Sequence, residues 1–247
     1  MAYDFETYVS TYQTLTCNDK PIVIFESHNM AFPVWGCISS HLQKELNLIT
    51  LDTHADTRPP FARELVNNYS HVIGEPGIVF KKDVLSKYNC FRNNFSCEDA
   101  YRLAVDYIAH DEHIQTACYF RYIDKHFIFC DLDPYEREGR QDMDRNDGFD
   151  ATYYAKNDIQ SLSHQDLELM SKEQYILDID LDYFTSKSLF ENQTLISNLT
   201  PIIQNATCIT IAKEPKYFEI EKDIDEIDYT NSDALRLLLN LINNSLS

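Results

Sequence analysis

Residues 175–184 read Tyr-Ile-Leu-Asp-Ile-Asp-Leu-Asp-Tyr-Phe. An apolar run gives way to acids at every second position, Asp178, Asp180 and Asp182. In an extended chain alternate side chains share a face, so these carboxylates line up. The apolar flanks bury the segment, and buried carboxylates without a counter-charge are costly. A second stretch, Leu48-Ile-Thr-Leu-Asp-Thr-His-Ala-Asp56, repeats the arrangement, with Asp52, His54 and Asp56 on one face. Divalent cations are the simplest means of neutralising both runs.

Working outward, the apolar β-rich runs at 22–25, 48–51, 127–130, 175–179 and 208–212 alternate with segments of helical period. That alternation predicts an α/β fold of three layers, α/β/α, around a mainly parallel sheet. Helices are expected over 39–46, in two pieces within 98–123 with a break near His110-Asp111, over 194–204, and over 233–241. Asp111 is the expected cap of the second piece, Asn231 or Ser232 that of the last helix, and Pro201 a break or kink. Residues 131–150 read as an acidic, irregular loop with Pro134, Gly139 and Gly148, of the kind that shapes binding sites. Asp142, Asp144 and Asn146 imitate a calcium loop, but Asp147 stands where glycine is needed, so a solvated acidic loop is the better reading. With no repeat and no Gly/Ser- or Pro-rich linker, the 247 residues are expected to form a single domain, 1–247.

Forty acidic residues against 21 basic ones give a formal charge of −19. That balance disfavours nucleic acid or an anionic membrane surface as partner and favours cations and cationic substrates. Seven scattered cysteines without a C-x-x-C pair predict neither a disulfide framework nor a zinc knuckle, and hence a reducing compartment. The first residues, Met-Ala-Tyr-Asp-Phe-Glu, lack a basic segment followed by an apolar run, and no stretch reaches the roughly 20 apolar residues of a membrane span. A cytoplasmic protein is expected.

In open parallel sheets, ligands bind beyond the carboxyl ends of the strands. The first candidate strand ends in Glu26-Ser27-His28, the second in Asp52, His54 and Asp56, the fourth in Asp178 and Asp180. Two imidazoles and four carboxylates suffice for two divalent ions with bridging carboxylates and a shared water. Oxygen-dominated ligation points to manganese, with iron, cobalt or zinc as substitutes. Taken singly, each residue has a plainer reading: a helix cap, a turn after a strand, a hydrogen-bonded histidine. Their combination lifts them together.

These motifs are similar to the ligand motifs of the arginase (ureohydrolase) superfamily. Glu-Ser-His-Asn (26–29), Leu-Asp-Thr-His-Ala-Asp (51–56), Asp-Glu-His-Ile (111–114), Leu-Asp-Ile-Asp-Leu-Asp-Tyr-Phe (177–184) and Thr-Ile-Ala-Lys-Glu-Pro (210–215) resemble more closely the uncharacterised-protein family 0489, some of whose members are peptide arginases. The resemblance implies an arginase-like fold and a dimanganese centre held by His28, Asp52, His54, Asp56, Asp178 and Asp180. It further implies that a metal-bridging hydroxide attacks the guanidinium carbon of arginine to give ornithine and urea. His113 is the implied catalytic proton shuttle, with His110 and His71 as alternatives. Glu214 is the implied guanidinium partner, and Asp182 faces the substrate or supports the ligands. The chain lacks the Gly-Gly-Asp-His-Ser form of the first motif and the Asn and Ser residues by which arginases hold a free α-carboxylate. Arginine within a peptide, or another guanidino compound, is therefore the expected substrate. Two other functions stay open: a metal-dependent deacetylase of the same superfamily fold, and a non-catalytic metal-containing protein that binds a cationic tail.

Overall fold

The computed structural model describes residues 12–62, 96–222 and 228–247. These fall into two compact units, one built from 12–28, 46–55, 124–222 and 228–247, the other from 29–45, 56–62 and 96–123.

The first unit is organised on a seven-stranded sheet: β1 (Gln13–Cys17), β2 (Lys20–Phe25), β3 (Leu46–Leu51), β4 (Ile123–Cys130), β5 (Asp150–Ala155), β6 (Tyr175–Asp180) and β7 (Cys208–Ala212), in the order β1-β2-β7-β6-β3-β4-β5. The pairs β2–β7, β6–β7, β3–β6 and β4–β5 are parallel, and β1–β2 is antiparallel. All five predicted strands are present, and every residue of β3, β6 and β7 is buried. Strands covered on both faces read as unbroken apolar runs, which is why they were legible. The mixed α/β class, a mainly parallel sheet flanked by helices, is the one the alternation predicts.

Two edge strands were not foreseen. β1 is largely polar and turns into β2 through Asn18 and Asp19, both at positive φ (47° and 63°). A two-residue hairpin loop of that kind matches the twist of the strands it joins. β5 follows from a second correction, because most of the expected acidic loop 131–150 is a helix. Helix α1 spans Ala31–Leu42, α2 Cys97–Asp106, α3 His113–Tyr119, and α4 Pro134–Asp147 occupies that stretch. Asp133 accepts from the N–H groups of Tyr135 and Glu136, Glu136 reaches back to the Asp133 N–H, Pro134 opens the helix, and Gly148 closes it at φ 86°. These end signals set a helix that has no apolar stripe. Asp142 and Asp144 are thus helical residues, and Asp144 is buried under the Tyr153 hydroxyl at 2.6 Å.

Helices α5 (His164–Ser171), α6 (Gln193–Asn205), α7 (Pro215–Glu221) and α8 (Asn231–Leu246) complete the first unit. α6 continues through Pro201 instead of breaking. Proline inside a helix costs about 3 kcal/mol. Leu195, Leu199, Ile202 and Ile203, on both sides of it, are buried in one core with Leu177, Ile179, Leu238 and Ile242. Burial of that order, about 1.5–3 kcal/mol per side chain, outweighs the lost bond. Asn192 caps α6, and Thr230, with Asp233, caps α8 one residue before the expected cap.

In the second unit, α1 begins well before the helix expected at 39–46 and ends at Gln43, φ 52°. Residues 31–39 are all buried, so no apolar-polar period marks the helix. Phe32 packs against Phe120 and Tyr122 at 5.7 and 5.4 Å between ring centres. α2 and α3 are the two pieces predicted within 98–123, but Glu112 and not Asp111 occupies the cap position of α3, with no side-chain cap bond. A disulfide joins Cys37 and Cys97, whose Cα atoms are 5.5 Å apart. The cysteine spacing predicted no disulfide framework and carried no sign of this single pairing between residues 60 apart on two helices. No helix among the described residues is long and apolar enough to cross a membrane.

Candidate metal centre

The centre lies in the first unit, at the carboxyl ends of β2, β3 and β6. Parallel pairing sets Thr50 opposite Asp178 and Asp178 opposite Thr210, so the acidic end of β6 has β3 on one side and β7 on the other. Both acidic runs leave the sheet at the same end.

His28 follows β2. Its Nε2 is 2.7 Å from Asp178 Oδ2, and the Thr210 hydroxyl donates to Asp178 Oδ1 at 2.6 Å. The other ring nitrogen, Nδ1, faces Asp52 Oδ2 and Asp180 Oδ2, each at 3.4 Å. The His28 main-chain N–H donates to Glu214 Oε1 at 2.8 Å. On the far side of Asp52, His54 Nδ1 stands 3.7 Å from Asp52 Oδ1 and 2.9 Å from Asp182 Oδ2. The turn that carries Asp182 is tied to the turn after β3. The Thr53 N–H donates to Asp182 Oδ1 at 3.0 Å, and the Thr53 hydroxyl to the Asp182 carbonyl at 2.7 Å.

Two donor sets are made wholly of first-unit residues: His28, Asp52 and Asp180, and Asp52, His54 and Asp182, each with one ligand atom per residue and all atoms of a set within 4.8 Å. Asp52 belongs to both through different oxygens. His28, Asp52, Asp178, Asp180 and Asp182 are buried.

The electrostatics are those of a site that calls for positive charge. Burial, with the charges of Asp182 and Asp52 added, drives the Asp180 carboxyl well above the usual carboxylate range. Burial acts the same way on Asp182, but the hydrogen bond and charge of His54 overcome it and hold Asp182 low. Hydrogen bonds to Asp182 and Asp52 raise His54 to about 11. Buried carboxylates and imidazoles aimed at one another are the donor chemistry of a hard or borderline divalent ion.

The remaining expected site residues divide between the units. Glu214 is buried in the first, at φ 34°. Asp56 and His113 lie in the second, where His113 Nδ1 is 2.7 Å from the His110 carbonyl and 4.0 Å from Asp56 Oδ2, and its ring is 5.3 Å from that of Trp35. His71 lies outside the described residues. Sequence reasoning missed Thr53, Thr210 and Lys156, whose ammonium donates to Thr53 Oγ1 at 2.9 Å. Burial lowers the Lys156 pKa against the pull of Asp182 and Asp131. Lys156 follows β5, and an unrecognised strand hides the residue at its end.

Fold and donor sets together define an α/β protein with a candidate centre for divalent cations. The sequence matches no protein-family model and no curated protein. Among solved structures the chain is similar to an arginase from Medicago truncatula, with a TM-score of 0.46 and 12% identity over 91% of this chain and 58% of the arginase. The chain therefore spans about 58% of that protein's length.

Proposed function

We propose that the chain is a metallohydrolase of the arginase type, acting on the C–N bond of a guanidino group, with peptide-bound arginine as substrate and ornithine and urea as products. The observation that carries the reading is Asp52, whose two oxygens face two separate donor sets. A carboxylate shared in that way can bridge the two ions of a dinuclear centre. His28, Asp52 and Asp180 would hold one ion, and Asp52, His54 and Asp182 the other. Asp182, expected to face the substrate or support the ligands, would here be a ligand. Asp178, expected as a ligand, lies 2.7 Å from the other ring nitrogen of His28, the arrangement by which a carboxylate fixes the tautomer of a ligating imidazole. Two divalent ions, manganese by the oxygen-rich donor set, would supply an acidified water as nucleophile near neutral pH. The surrounding carboxylates favour a guanidinium cation over neutral or anionic groups. The roles of Asp56 as a ligand and of His113 as proton shuttle rest on the family resemblance alone.

The reading is tested by urea release from manganese-loaded protein given free arginine and arginine-containing peptides, with Asp180→Ala as control. Urea from the peptides, abolished in the variant with the fold retained, supports it. Full activity in Asp180→Ala, or no urea from any guanidino compound, overturns it.

A further inference from the structure

Of the side chains that form the two donor sets, His54 is the accessible one: it is 43% exposed, whereas Asp52, Asp180, Asp182 and His28 are 3% or less. His54 is therefore the donor that solvent meets. Two side chains of α7 stand on that side. The Tyr217 ring meets His54 edge-on at 5.8 Å between centres, and Glu221 Oε1 is 3.8 Å from His54 Nε2. Four residues apart, they share one face of the helix. Glu221 is one-third exposed, and the Tyr217 ring already carries a cation on its face, Lys216 Nζ at 5.9 Å from the centroid.

α7 is fixed with respect to the donors by Glu214, the residue before it. Glu214 takes a left-handed conformation, which is costly for a side-chain-bearing residue, and Pro215 opens the helix. The Glu214 carboxylate binds the main-chain N–H of His28. The same residue therefore sets both the entry angle of α7 and the position of His28, and at least one of its oxygens is committed to that task.

Resting on the arginase-type reading, we propose that Glu221 and Tyr217 are the substrate-binding pair that selects a guanidinium head group. Glu221 accepts its N–H donors, and Tyr217 packs against its flat face. A planar guanidinium can engage a carboxylate through two parallel bonds and stack on an aromatic ring, whereas an ammonium offers a compact point charge. The pair therefore discriminates arginine from lysine side chains.

The experiment uses the manganese-loaded full chain, with N-acetyl-arginine amide and N-acetyl-lysine amide as probes, read by calorimetric Kd, by KM for urea release and by metal content per chain. The proposal expects wild type to prefer the arginine probe. Glu221→Gln should weaken it by about tenfold or more, the loss of a charged hydrogen-bond partner. Tyr217→Phe should bind as wild type and Tyr217→Ala should lose binding, both with metal content unchanged. Glu221→Gln and Tyr217→Ala binding as wild type, weakened binding that only follows lost metal, or a wild type indifferent to the two probes would each overturn it. Arginine binding that depends on Glu221 but yields no urea sinks the hydrolase reading and keeps this one. Urea release with KM unchanged in Glu221→Gln does the reverse.

Discussion

Asp52 directly follows β3 and Asp178 lies in the adjacent parallel strand β6; the two read as equivalent ligands by sequence, yet their surroundings separate them. Asp52 faces His28 Nδ1 with one oxygen and His54 Nδ1 with the other, whereas Asp178 is occupied by His28 Nε2 and the Thr210 hydroxyl. Alternation told which side chains share a face, but it could not tell which of three aspartates on that face meets which imidazole. That depends on the turn after β6, where Asp180 takes the Asp182 N–H at 3.1 Å and brings Asp182 round to His54. Asp178→Asn should therefore keep the donor atoms and weaken metal affinity by about 10–100-fold, measured by competition with a chelating dye. Asp182→Asn should lower the metal content from two ions per chain to one, with His28, Asp52 and Asp180 still in place. A variant that keeps two ions at wild-type affinity would remove Asp182 from the ligand set.

At the scale of elements, the strands legible in the sequence were those buried on both faces, and the missed ones, β1 and β5, are the two edges of the sheet. The helices fail for opposite reasons: α1 is apolar on every side through residue 39, and α4 is polar on nearly every side, so neither has a period to read. For α4 the end signals were present as Asp133-Pro134, Glu136 and Gly148, and weighing them above the acidic composition would have found it. Asp133→Ala removes the bonds to two N–H groups and should destabilise the protein by about 1 kcal/mol, with faster amide exchange at Tyr135 and Glu136. Gly148→Ala places a Cβ on a residue at φ 86° and should cost about 1 kcal/mol more than a glycine replacement in an unstrained turn, read as a shift in the urea midpoint.

Across the whole molecule, the centre assembles from β2, β3, β6 and the turns that follow them, segments separated by up to about 150 residues in sequence. The motifs were legible one by one because each closes a strand, but the two compact units were not, since the chain passes between them without a linker of distinctive composition. Carboxylates crowded at 0–2% exposure oppose the fold until a cation neutralises them. Saturating manganese should therefore raise the melting temperature, by the equivalent of about 2.7 kcal/mol when free metal is 100 times its Kd, and a chelator should reverse the gain. A melting temperature indifferent to manganese would mean that these carboxylates are settled by protons alone. The most direct test of the central claim, a dinuclear centre bridged by Asp52, is the number of manganese ions per chain by elemental analysis, in wild type and in Asp52→Ala. The account predicts two ions in wild type and a loss at both positions in the variant. One ion or none in wild type, or two in Asp52→Ala, would contradict it.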